Sequence, residues 1–182
     1  MNSKVELNEP VIMTMLMTPE MANFSGKVHG GALLKLLDQV AYACASRYSG
    51  HYAVTLSVDQ VVFRQPIHVG EVVTFRARVN YVGNTSMEIG IRVEAENIKT
   101  GESRHTNSCF FTMVALDEDG KSVRVPRVPL NSDLDRGRFI AGKLRKELRQ
   151  KYAERFAQVA EQSLGKIESL SAEELSSYLG SL

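Results

Sequence analysis

The chain is short of cysteine, of net charge and of long apolar runs, and each shortage removes a class of function. Among its 182 residues there are only two cysteines, Cys44 and Cys109, both in apolar segments. That excludes a disulfide framework and the paired spacing of a zinc or redox motif, and both read as small core residues. Net charge is +1, so bulk electrostatics point neither to nucleic acid nor to an anionic membrane. No apolar run reaches the roughly 18 residues that a membrane-spanning helix needs. Met1 to Pro10 carries Lys4, Glu6 and Glu9 without an apolar core, so it does not read as a signal peptide. These absences lead us to expect a reducing, cytoplasmic location.

The composition that is present, 43% apolar and 24% charged, is that of an ordinary globular domain. Val11 to Met17 reads as a first strand, broken by Thr18-Pro19-Glu20. A nearly uniform apolar stretch over Gly30 to Tyr48 predicts a helix buried on all sides, with Gly50 as its stop signal. From Ala53 to Leu116 the period changes to two. Val54, Leu56 and Val58 alternate with Thr55, Ser57 and Asp59, and the pattern repeats over Val73–Tyr81 and Met87–Glu96. A fifth strand covers Arg104 to Leu116. Gly83-Asn84 and Thr100-Gly101 fall between strands as hairpin connections. Consecutive hairpins make the sheet antiparallel, and one apolar helix is available to cover it. The fold class is therefore α+β, a curved sheet wrapped around a single helix. An open sheet edge invites a second copy, so a dimer is expected.

Beyond Pro126 and Pro129 the composition shifts. Asp135 to Ala160 reads as a basic helix whose apolar residues Leu144, Leu148, Tyr152 and Phe156 recur every four positions. That stripe reads as packing on the core or on a neighbour, and a phosphate or nucleotide patch is the competing reading. Ser171-Ala172-Glu173-Glu174 fits a capping box for a short last helix ending near Gly180.

One residue breaks the pattern of the first helix. Asp38 is a lone acid in an apolar stretch, and a buried carboxylate without a partner is costly. The helix opens with His29-Gly30-Gly31, whose glycines leave backbone N–H groups open to a ligand. Lys35, three residues before Asp38, offers a purely structural ion pair as the alternative to chemistry.

The run Ala22-Asn23-Phe24-Ser25-Gly26-Lys27-Val28-His29-Gly30-Gly31, followed by the helix acid, resembles the hotdog-fold acyl-CoA thioesterases of the brain-type, cytosolic acyl-CoA hydrolase branch. Gly83 to Glu88 and Thr112 to Lys121 extend the resemblance, which covers about residues 8–130 and leaves 131–182 as a helical extension. It implies hydrolysis of fatty acyl-CoA to fatty acid and coenzyme A, with no cofactor and no metal. It implies a dimer of hotdogs, commonly in a trimer of dimers, with sites at the dimer interface. By position, Asp38 becomes the general base or a direct nucleophile, and Asn23 of the other subunit faces it. His29, Gly30 and Gly31, the N–H of Gly31 above all, would position the carbonyl and its oxyanion. Thr85 and Ser86 would lie along pantetheine through backbone hydrogen bonds, and Arg64 and Arg104 would meet the coenzyme A phosphates. A non-catalytic acyl-CoA or nucleotide sensor on the same fold is the competing function, and a hotdog dehydratase or hydratase a more distant one. Acyl chain length is not legible.

Overall fold

A computed structural model describes residues 8–169 together with 171, 174, 176 and 177. The chain divides into two compact units, the first ending at Ile140 and the second starting at Ala141.

The first unit holds five strands: β1 (Val11–Leu16), β2 (Tyr52–Val58), β3 (Val72–Val82), β4 (Ser86–Glu96) and β5 (Ser103–Leu116). They form one antiparallel sheet in the order β1-β3-β4-β5-β2, so β1 and β2 are its edges. Alternation works as expected in the central strands. Val73, Phe75, Ala77 and Val79 of β3 and Met87, Ile89, Ile91 and Val93 of β4 are buried on one face. Against that face lies α1 (Gly30–Ser49), through Leu33, Leu36, Leu37, Val40, Ala41, Cys44, Ala45 and Tyr48. The helix ends at Gly50, whose left-handed φ of 72° lets its N–H reach the Ser46 carbonyl.

Two expectations fail here. The first helix is not buried all round. Leu34, Asp38 and Tyr42, four residues apart, are exposed along one side. A single sheet wraps only part of a helix, and its strand order leaves that side uncovered by the described residues of the first unit. Nor does β2 follow the alternation read from Val54, Leu56 and Val58. Ala53 is the buried residue, paired with Ala115, and Thr55 pairs with Met113 of the core. A bulge between Thr55 and Ser57 extrudes Leu56, which is 68% exposed. Thr55 therefore shares the face of the buried Ala53 and reaches α1, while Leu56 at the bulge is left out of the core.

The last helix, α2 (Asp133–Ser169), is longer than the periodicity indicated. Its first turn belongs to the first unit. Ser132 caps it by exchanging hydrogen bonds with Asp135, Asp135 pairs with Arg78 at 3.4 Å, and Phe139 lies on Tyr81 with ring centroids 5.0 Å apart. Within the second unit Leu144, Leu148, Tyr152 and Phe156 are exposed. Ser171 and Glu174 exchange the hydrogen bonds of a capping box, but the short helix expected to follow lies largely outside the described residues. No helix among the described residues is long and apolar enough to cross a membrane.

Candidate active site

The start of α1 is organised by His29. Its extended backbone makes it the N-cap, and its Nδ1 accepts the Gly31 N–H at 2.9 Å. An accepting Nδ1 fixes the ring as the neutral tautomer with the proton on Nε2. Glycine at position 31 makes room for this cap, because a Cβ there would sit 3.0 Å from Nδ1. The Gly31 N–H, expected to face a substrate carbonyl, thus donates to His29 in this structure. Gly30 is different. Its N–H has no protein acceptor among the described residues, and its Cα side packs near the Phe63 ring.

Asp38 sits two turns further along, on the exposed side of α1 between Leu34 and Tyr42. It makes no ion pair with Lys35 among the described residues. Its Oδ1 accepts a 2.5 Å hydrogen bond from the Thr55 hydroxyl of β2. A carboxylate offers about four acceptor positions, so one such bond fixes its orientation and leaves Oδ2 available. The bulge after Thr55 and the edge position of β2 bring this hydroxyl under the helix. Thr55 was missed from sequence because alternation assigned it to the wet face. The only available hint was a hydroxyl on the strand that follows an acid-bearing helix.

Asn23 stands apart from that pair. Its Oδ1 accepts from the Ser25 N–H at 2.9 Å, the Ser25 hydroxyl at 2.8 Å and the Lys27 N–H at 3.1 Å. Two backbone donors settle which atom is oxygen. The tight loop, with Gly26 at φ 75°, thus uses the oxygen as a turn residue would and leaves Nδ2 without a protein acceptor among the described residues. Among the described residues nothing joins Asn23 to Asp38 by a hydrogen bond. Phe24, next to it, is fully exposed.

The four residues expected at coenzyme A fare unequally. Arg104 is committed elsewhere. Its guanidinium forks onto Glu71 at 2.7 and 2.8 Å and donates to the Pro66 carbonyl at 2.6 Å. These contacts tie the 66–71 loop to β5 and hold the guanidinium on Glu71, where the sequence led us to expect a phosphate. The Arg104 hydrogen bonds hold the buried Glu71 carboxyl below its ordinary range despite burial. Arg64 is exposed in the loop before β3 and carries no ion pair among the described residues. At the β3–β4 turn the carbonyls of Asn84, Thr85 and Ser86 accept from Val125, Ala115 and Gly83. What Thr85 and Ser86 can offer there is their half-buried hydroxyls rather than those carbonyls.

Neither cysteine is placed for nucleophilic work. Burial pushes the thiols of Cys44 and Cys109 up to about 12, so neither is a thiolate near neutral pH. The described residues contain no cluster of three His, Cys, Asp or Glu side chains suited to a metal.

Comparison with known proteins bears on this geometry. The Thioesterase superfamily model matches residues 25–102. The chain is 50% identical over 139 residues to protein VdlD of Helicobacter pylori, covering 76% of this chain and 79% of that one. It is 36% identical over 145 residues to the human cytosolic acyl coenzyme A thioester hydrolase, covering 76% of this chain and 38% of the human protein. Among solved structures, an apo-hexameric acyl-CoA thioesterase superposes with a TM-score of 0.76 at 35% identity, over 79% of this chain and 92% of that one. An acyl-CoA hydrolase of Staphylococcus aureus, solved with butyryl coenzyme A and coenzyme A, superposes with a TM-score of 0.76 at 26% identity, over 85% and 94%. That hydrolase has also been solved as alanine variants of an asparagine, an aspartate and a threonine. These three positions are separated along its chain by the same intervals as Asn23, Asp38 and Thr55. On the sequence match, the superposed fold and the strand order, this chain belongs to the hotdog-fold acyl-CoA thioesterases.

Proposed function

We propose that the protein hydrolyses fatty acyl-CoA to a fatty acid and free coenzyme A, at a site that Asp38 and Thr55 of one subunit form with Asn23 of a second. The observation that carries this reading is the Asp38 carboxylate. It is oriented by one hydroxyl, unneutralised by any cation among the described residues, and held on the uncovered side of α1. A solvated acid kept in place by a single short hydrogen bond serves no evident packing purpose. It is suited to hold a water and take its proton. Attack by that water on the thioester carbonyl carbon makes a tetrahedral oxyanion. The C–S bond then breaks, and the coenzyme A thiolate leaves and is protonated. The Gly30 N–H at the positive end of α1 is the backbone donor suited to the oxyanion. Asn23 Nδ2, freed because its oxygen is anchored, is the side-chain donor. Direct attack by Asp38, giving a mixed anhydride that water then opens, uses the same geometry. Thioesters are electrophilic enough that the reading requires neither metal nor cofactor.

The need for a second subunit follows from what is uncovered. β2 is an open edge strand carrying exposed Tyr52, Leu56 and Val58, and the α1 side with Leu34 and Tyr42 adjoins it. Tyr42 and Tyr52 meet edge to face at 5.7 Å. Pairing β2 with β2 of a second copy would cover this surface and bring an Asn23 loop toward Asp38. The hexameric relative supports a further step to a trimer of dimers. Arg64, Thr85 and Ser86 remain the groups offered to coenzyme A. Buried free thiols and the cytosolic human relative favour a cytoplasmic location.

The test is thiol release from acyl-CoAs of graded chain length. Wild-type protein is expected to turn them over, and Asp38→Asn to bind coenzyme A without turnover. Binding without thiol release by the wild type at every chain length would replace this reading with that of an acyl-CoA sensor.

A further inference from the structure

Phe24 has no role in the chemistry described so far. It stands next to Asn23 at the tip of the 22–28 loop and is fully exposed on the first unit. The tip itself is held from several sides. The Gly26 N–H closes a turn onto the Asn23 carbonyl at 3.0 Å, the Asn23 N–H donates to the Lys27 carbonyl at 2.6 Å, and Ala22 bridges to Val28. The Val28 N–H reaches the Ile67 carbonyl at 2.9 Å, and Lys27 bridges to His68. Together with the three bonds to Asn23 Oδ1 these contacts give the loop a defined shape, with Phe24 at the second position of its turn. Turns favour Gly, Pro, Asn, Asp and Ser, each for a reason of backbone angle or local hydrogen bonding. A phenylalanine gains nothing of that kind and presents its ring to water. Departures from local preference are concentrated at functional positions.

Asn23 determines what the ring meets. Consecutive Cα atoms are about 3.8 Å apart. On the reading of the site as Asp38 of one subunit with Asn23 of a second, on which this inference rests, a loop that brings Asn23 to the thioester brings Phe24 with it. The surface around Asp38 is apolar. Leu34 and Tyr42 flank it on the exposed side of α1, each about 6 Å away along the helix axis, and Tyr42 meets the Tyr52 ring. A phenyl ring laid over that strip closes a narrow apolar channel that begins at the reacting carbonyl. The Ser25 hydroxyl does not intrude, because it is turned onto Asn23 Oδ1. We propose that Phe24 of one subunit forms the outer wall of the acyl channel beside Asp38 of the other, and that it restricts the substrate to acyl chains unbranched next to the carbonyl. A straight chain of methylenes passes between ring and strip with apolar contact on both sides. A methyl on carbon 2 meets the ring, since that carbon is one bond from the atom under attack.

Substitution of an exposed turn residue leaves the fold intact, so activity can be read directly. The measurement is kcat/KM for butyryl-CoA and for 2-methylbutyryl-CoA, which differ by a single methyl on carbon 2. The full-length wild type is expected to prefer butyryl-CoA. Phe24→Ala should raise the ratio of 2-methylbutyryl-CoA to butyryl-CoA by on the order of tenfold or more, the scale of one methyl-sized change in an apolar pocket. Phe24→Tyr should keep the wild-type ratio. A ratio unchanged in Phe24→Ala would overturn the proposal. If both substrates slowed together, the ring would serve only the subunit contact; if neither changed, it would stay in water. Equal use of the two substrates by the wild type would overturn it as well. All of these outcomes leave the thioesterase reading standing. No thiol release by the wild type from any acyl-CoA would overturn that reading, and this proposal with it.

Discussion

Glu71 and Asp38 are carboxylates in opposite circumstances. Glu71 is buried and saturated: both oxygens accept from Arg104, one also from the His68 N–H, and the result is a fixed loop. Asp38 lies on the open side of a helix with one hydroxyl on one oxygen. Burying a charge is costly unless every partner is supplied, so a fully paired acid is evidence of architecture. An acid positioned but left with spare acceptor capacity is available for a proton. The same distinction separates the two arginines expected at the coenzyme A phosphates. Arg104 is consumed by structure, whereas Arg64 is not.

Exchanging charge for amide at each acid should separate the two roles. Asp38→Asn is expected to lower kcat by roughly 10³-fold or more, the upper range for loss of a general base, with thermal stability nearly unchanged. A melting temperature that falls along with activity would erase the contrast. Glu71→Gln should do the reverse and cost about 2–4 kcal/mol of stability, the scale of breaking a partly buried ion pair, as read by urea denaturation. Its effect also has a pH signature. Because the folded-state pKa of Glu71 is lowered by Arg104, its contribution is complete above the unfolded carboxylate range and is lost as pH falls through the folded value. Glu71→Gln should therefore flatten the acid limb of stability against pH. Thr55→Val tests the tether. Losing one oriented hydrogen bond should lower kcat about tenfold, near 1.4 kcal/mol, with KM little changed. The smallest effect is expected from His29→Ala, which removes the N-cap of α1 and costs about 1 kcal/mol of stability. His29→Asn, which can cap, should recover most of it.

The contrast between the acids was half legible in the sequence. Asp38 stood out because α1 is otherwise apolar, and His29-Gly30-Gly31 marked the helix start by residue type alone. The hairpin strands followed from alternation, which local sequence records directly. What escaped depended on pairing across the fold. Arg104 and Glu71 lie far apart in sequence, so an ion pair was invisible and the arginine looked free. Thr55 was assigned to the wrong face because a bulge, unlike alternation, leaves no periodic trace. Expecting α1 to be buried throughout misjudged what one subunit can cover. Its apolar outer side is written in the sequence, but Leu34 and Tyr42 there stay exposed instead of joining the core. The length of α2 beyond Ala160 was missed because polar helix carries no apolar stripe to follow.

The shared site is tested most directly by mixing two inactive proteins. Asn23→Ala and Asp38→Asn, unfolded together, refolded at equal concentration and assayed for thiol release, should recover about a quarter of the wild-type rate. Half of the two-fold dimers would then be mixed, each with one intact site. Activity no greater than the sum of the separate variants, in samples where mixed dimers are shown to have formed, would contradict a site built from Asp38 of one subunit and Asn23 of the other.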